Sequence, residues 1–171
     1  VVLPLHQASD HSLWLGTWGA GAQNLRDGTF TNYTRADGLA HDKVRLIQEL
    51  RDGRVMFGTN QGASLLENGQ FISSPLLEEL KDDKVMAVLQ DEDETLWVGT
   101  DRGIVRQRGE TLTRLGPADG LSGARIRSIY RDSRAHLWVT TSNSGLYGYR
   151  DGQFVKVVSQ SNRLDDTIHS A

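Results

Sequence analysis

The sequence predicts an all-β fold: a β-propeller array of about four four-stranded antiparallel blades, in a partial or open propeller. Three observations predict it. One motif recurs at a fixed period, LWLGT at 13–17, VMFGT at 55–59, LWVGT at 96–100 and LWVTT at 137–141, with starts 42, 41 and 41 residues apart. Turn signals hold the same phase in every copy, and units of 40–45 residues with four strands are the mark of propeller blades. Glycine supplies 18 of 171 residues against three prolines, which suits many tight turns between short strands.

Each unit reads in the same order. An inner strand such as VRLIQEL carries an apolar pair, Val44/Ile47, Val85/Val88 or Ile126/Ile129. An acidic turn follows at Asp10, Asp52, Asp91 and Asp132, and then the second strand. A loop closed by Gly21, Gly62, Gly103 or Gly145 leads to a third strand. A tight turn at Gly28, Gly69, Gly109 or Gly152 then opens the fourth, which begins at Phe30, Phe71, Leu112 or Phe154. Asp-Gly and Asn-Gly pairs flanked by β-branched and aromatic residues are hairpin signals. DGL at 37–39 and 119–121 leads toward the next inner strand, and SSPLLEELKDD at 73–83 is the one short helical segment expected. The chain is therefore expected to form a single propeller segment, 1–171, with units near 2–43, 44–84, 85–125 and 126–167.

The constant residues of the motif have structural work to do. Trp14, Trp97 and Trp138 occupy one position of the second strand, where a large flat side chain fills the wedge between neighbouring blades. The second unit places Met56 and Phe57 there. Gly16, Gly58 and Gly99 are expected to let the strand turn tightly, with the following threonine bonding to local backbone.

Composition narrows the function classes. Nineteen basic against 22 acidic residues give no basic surface for nucleic acid. No apolar run approaches the roughly 20 residues of a membrane-spanning helix, so no membrane contact is expected of the segment itself. Without cysteine there is no disulfide, thiolate zinc site or cysteine nucleophile. The five histidines His6, His11, His41, His136 and His169 show no metal-ligand spacing, so no metal and no cofactor are expected. QDEDE at 90–94 and KDD at 81–83 lack the glycine-spaced ladder of a calcium loop and read as solvated turns.

The pattern D-x(2–4)-LW-apolar-GT-x(2–3)-G, then G-x-F, then DGL and an apolar strand, resembles the two-component regulator propeller repeat. The resemblance covers essentially the whole chain as four copies. The second copy departs from it with VMF and no DGL, and the fourth with TT for GT and NRLDD for DGL. It implies an extracytoplasmic, periplasmic sensor module of a hybrid histidine kinase or diguanylate cyclase, responding to glycans or other nutrients. Val2 and Ile168 both align with the start of an inner strand, so the chain is expected to be four whole units cut in phase, either a compact four-unit domain or, the favoured reading, a fragment of a longer propeller. Open blade edges make a homodimer a further expectation.

Binding residues are sought on the face built from second-to-third-strand loops and blade crossovers, among positions that differ between units. Trp18 stands there, with Asn60, Asp101 and Ser142 as its equivalents. It either stacks on a ligand or packs on the neighbouring crossover. Asn60, Gln61, Asp101, Arg102 and Asn143 supply donors and acceptors suited to hydroxyl-rich ligands. No nucleophile elbow, phosphate loop or paired-ligand motif points to a catalytic residue. The expected function is non-catalytic sensing of a small molecule or glycan. The alternatives are an interaction scaffold completed by self-association, and a fragment of a propeller lyase or glycosidase.

Overall fold

The computed structural model describes residues 2–122, 125–142 and 144–158. The calls on Asn143, Ile168, His169 and the NRLDD crossover lie outside the described residues. Among the described residues sixteen strands form four antiparallel sheets. β1 (Val2–Gln7), β2 (Leu13–Thr17), β3 (Ala22–Arg26) and β4 (Thr29–Tyr33) pair in that order, as do β5 (Val44–Glu49), β6 (Val55–Thr59), β7 (Ala63–Glu67) and β8 (Gln70–Ile72). So do β9 (Val85–Gln90), β10 (Leu96–Thr100), β11 (Gly103–Arg108) and β12 (Thr111–Leu115), and β13 (Ile126–Arg131), β14 (Leu137–Thr141), β15 (Gly145–Arg150) and β16 (Gln153–Val158). The chain divides into two compact units, the first up to Met86 and the second from Ala87.

The turn chemistry follows the residues. Asp27-Gly28, Asn68-Gly69 and Asp151-Gly152 all take positive φ, the two-residue turn that suits the twist of paired strands. The helix at 73–83 is α1 (Pro75–Leu80), begun by Ser74 as N-cap and Pro75 in its first turn. Each DGL closes a 3-10 turn. Asp37 accepts from the Thr34 amide at 2.8 Å, and Asp119 from the Gly116 amide at 2.8 Å. Leu39 and Leu121 then drop into the core at 2% and 0% exposure. Gly120, at φ 91°, is required twice over, because a Cβ there would lie 2.0 Å from the Phe154 carbonyl oxygen.

Three expectations change. The glycine of the GT step does not turn the strand. A Cβ on Gly58 would lie 2.9 Å from Val85 Cγ1, and one on Gly99 would lie 2.5 Å from Ile126 Cγ2. The glycine instead admits the next inner strand. The threonine does bond locally: Thr17, Thr59, Thr100 and Thr141 each donate Oγ1–H to the carbonyl of the loop glycine that follows. Second, the apolar pair three residues apart is possible in a strand only with an inserted residue. The register shifts between Val44 and Leu46 and between Ile126 and Ser128 supply it. In β9 the buried residues are Val85 and Ala87, and Val88 is only half-buried.

Third, the four acidic residues occupy two different turn positions. Asp10 and Asp52 cap the amide two residues on, as Asp93 does in the third repeat. Asp91 and Asp132 stand two residues earlier in the repeat, where the first two copies have Ala8 and Leu50. This is shown by the shared backbone bond from each of the four to the residue four positions later. From there Asp91 accepts the Trp97 indole N–H at 2.8 Å, and Asp132 accepts that of Trp138 at 2.9 Å.

The Trp138 indole, helped by the His136 amide and ring, holds the Asp132 carboxyl well below the usual carboxylate range. A depressed folded-state pKa gives stability that is complete above the unfolded value, near 4, and is lost as pH falls toward the folded value. Trp138→Phe is therefore expected to return the Asp132 titration toward pH 4 and to remove part of the acid sensitivity. A side-chain carboxyl NMR titration reads this directly, and an unmoved titration curve would refute it.

Each unit has its own core. In the first, Trp14 lies edge-on to Phe57 of β6 at 5.2 Å and against Tyr33 at 5.4 Å, over buried Val44, Ile47 and Leu66. In the second, Trp97 meets Tyr149 of β15 edge-on at 5.1 Å, over Ile126, Val139 and Phe154. The repeated tryptophan thus fills the wedge between adjacent sheets within each unit.

Candidate functional site

At the crossover end of the first unit, the loop after β2 is clamped to the chain entering β5. The Gly19 and Gly21 amides both donate to the Asp42 carbonyl at 3.0 Å, and Trp18 forms an antiparallel bridge with Lys43. The loop after β6 is tied down in the same way: the Asn60 amide donates to the Lys43 carbonyl at 3.1 Å and the Gly62 amide to the Asp83 carbonyl at 2.7 Å. These bonds fix the loops that carry the variable side chains.

Trp18 is 42% exposed. Lys43 Nζ lies 5.6 Å, and Arg45 Cζ 4.8 Å, from the centroid of its ring. Arg45 Nε in turn donates to Asn60 Oδ1. Indole, guanidinium and carboxamide therefore form one chain of contacts, with the guanidinium held by the ring quadrupole on one side and a carbonyl oxygen on the other. Trp18 packs on the neighbouring crossover with its backbone and ring, while much of the indole stays in solvent.

Of the other loop residues, Gln61 is exposed beside Asn60, its amide donating to Thr59 Oγ1 at 3.2 Å. Asp101 and Arg102 belong to the second unit, half-buried and exposed respectively, with the Arg102 amide on Thr100 Oγ1 at 2.9 Å. The structure joins Trp18 to Asn60 through a residue that sequence reasoning missed. Arg45 and Lys43 lie on the inner strand and its approach, not in the loops. A signal did exist: a basic residue precedes the first buried residue of three inner strands, at Lys43, Lys84 and Arg125.

Among the described residues no cluster of three His, Cys, Asp or Glu could hold a metal ion, and no helix is long and apolar enough to cross a membrane. Asp91 and Asp93, the acidic run at 90–94, are engaged with Trp97, Arg131 and the Thr95 amide.

Comparison with known proteins adds a family. The two-component regulator propeller matches residues 79–102, from the end of α1 through β9 and the LWVGT strand. The match falls on one repeat, whose period and phase the other three copies share. Comparison by sequence with functionally curated proteins finds no match. Solved structures share the fold. The extracellular domain of the putative hybrid two component system BT4673 from B. thetaiotaomicron superposes with a TM-score of 0.79 at 17% identity. The match covers 94% of this chain and 25% of that one. Virginiamycin B lyase from Staphylococcus aureus matches with a TM-score of 0.71 at 16% identity, over 94% of this chain and 56% of the lyase. An ancestral GH74 enzyme gives 0.71 at 12% identity, over 98% and 24%. The chain thus spans about a quarter of the first of these structures, and the fold is shared by an extracellular domain of a two component system, a lyase and a GH74 enzyme.

Proposed function

We propose that this propeller segment is a non-catalytic, extracytoplasmic ligand-sensing module of a two-component-type receptor, taking a small molecule or glycan on its crossover face. The observation that carries the reading is Trp18. It is the one aromatic among four equivalent loop positions, it stays 42% exposed, and it is braced by Lys43, Arg45 and Asn60. A ring with hydroxyls would stack on the open part of the indole and take hydrogen bonds from the cations and amide around it. Binding there would act on the crossover that leads into β5, which gives a route from ligand to blade geometry. The likeness to an extracellular domain of a hybrid two component system supports the setting.

The test is a thermal-shift screen over a panel of mono- and oligosaccharides, followed by calorimetry on any member that raises the midpoint. Trp18→Ala is expected to weaken that member at least about tenfold, the scale of losing one aromatic contact at a binding surface, with the midpoint of the unliganded protein unchanged. Unaltered affinity in the variant, or a panel without a shift, would overturn the reading.

A further inference from the structure

The far end of the second strand carries a different feature, seen by comparing the same repeat positions in the two units. In the second unit a groove of about 240 Å³ opens beside Trp97, and the chain fills much of it with its own cations. Arg106, paired with Trp97 across β10 and β11, lies 5.6 Å over the indole centroid and donates to the Tyr149 hydroxyl at 3.0 Å. Arg131 sits on Asp91.

In the first unit the equivalent groove holds about 620 Å³. The residue paired with Trp14 is Asn24, in place of Arg106. The residue opposite Val55 is Glu49, in place of Arg131 opposite Leu137. Two cations are thereby exchanged for an amide and a carboxylate. Among the groove's charged residues, Asp10, Asp27 and Glu49 face a single guanidinium, Arg26. Asn24 is 7% exposed, and its buried Nδ2 has no hydrogen-bond partner. A buried donor left unpaired is costly unless something supplies the acceptor.

We infer that the groove between Trp14, Asn24 and Glu49 is a second ligand site, which takes a small guanidinium-bearing compound that also carries an acceptor oxygen. The cation occupies the region that Arg106 fills in the second unit, next to Glu49 and Asp27, and the oxygen accepts from Asn24 Nδ2. The site lies at the hairpin-turn end of the strands, whereas Trp18 follows the other end of β2, so it does not depend on the crossover-face reading.

The probe is L-arginine, set against L-citrulline, which keeps the length and the α-carboxylate but replaces the guanidinium with a neutral urea. Titration of the full chain, followed through the Asn24 side-chain NH₂ resonances, is expected to saturate with arginine, with citrulline about tenfold weaker or worse for want of the charge-assisted contact. Asn24→Leu repeats the residue that Leu65 supplies opposite Met56 in the next repeat, and followed by calorimetry it is expected to lose arginine about tenfold. Asn24→Arg should block the site from within the chain, and Glu49→Gln should narrow the gap between the two probes. Trp18→Ala should leave arginine binding intact. Equal binding of the two probes would refute the charge preference. No saturable shift with either would mean a water-filled groove only, and arginine binding that survives both Asn24 variants would refute the site.

Discussion

Trp97→Ala is expected to lower the unfolding free energy by about 3–5 kcal/mol, the range for emptying a buried aromatic site. Trp97 is 5% exposed, so nearly all of its surface is lost from contact when the ring goes. Three separate partners lose it. Tyr149 loses an edge-on neighbour at 5.1 Å, Arg106 loses the ring beneath it, and Asp91 loses the indole N–H at 2.8 Å. Trp97→Phe separates the terms: it keeps an aromatic body and removes the donor, and should cost about 1–3 kcal/mol for a buried acceptor left short of a partner. Urea unfolding followed by circular dichroism measures both variants. An alanine variant within about 1 kcal/mol of the parent would show that the tryptophan is not the wedge between the sheets.

The repeat was legible because its signals are local. Asp-Gly, Asn-Gly and DGL each specify a backbone conformation within four residues, and at 27–28, 37–39, 68–69, 119–121 and 151–152 the chain adopts it. What escaped were the relations between strands. The GT glycine reads as a turn residue because its true constraint, the approach of Val85 or Ile126, comes from the next repeat. The two acidic positions look alike in the sequence because both lie just before the second strand; they stand two residues apart in the repeat, and only the earlier one reaches the indole N–H. Trp18 was legible as an exception to the repeat. Its partners Lys43 and Arg45 lie 25 and 27 residues on, and nothing in the loop announces them. The enlarged groove at Asn24 was still more remote from inspection, since it arises from two substitutions on different strands that only strand pairing brings to one place.

Asp91→Leu is the second large effect, and the internal repeats show why it is informative. The same turn position holds Ala8 and Leu50 in the first two copies, so an apolar side chain is compatible with the turn itself. The cost then comes from the groups Asp91 serves. The Trp97 N–H loses its acceptor, and Arg131 loses a carboxylate that is only 5% exposed. Breaking a buried ion pair from one side costs about 3–5 kcal/mol when the remaining charge stays buried. Arg131 keeps 35% of its side chain in solvent and can rehydrate, which places the expected loss nearer 2–4 kcal/mol. Adding Arg131→Leu should recover part of that loss, because it removes the stranded charge, and the double-mutant cycle isolates the coupling. The tryptophan itself should remain buried in both variants, which its fluorescence maximum reports. A loss below about 1 kcal/mol for Asp91→Leu would mean that packing alone holds the indole and that the acid at this position adds little to the wedge.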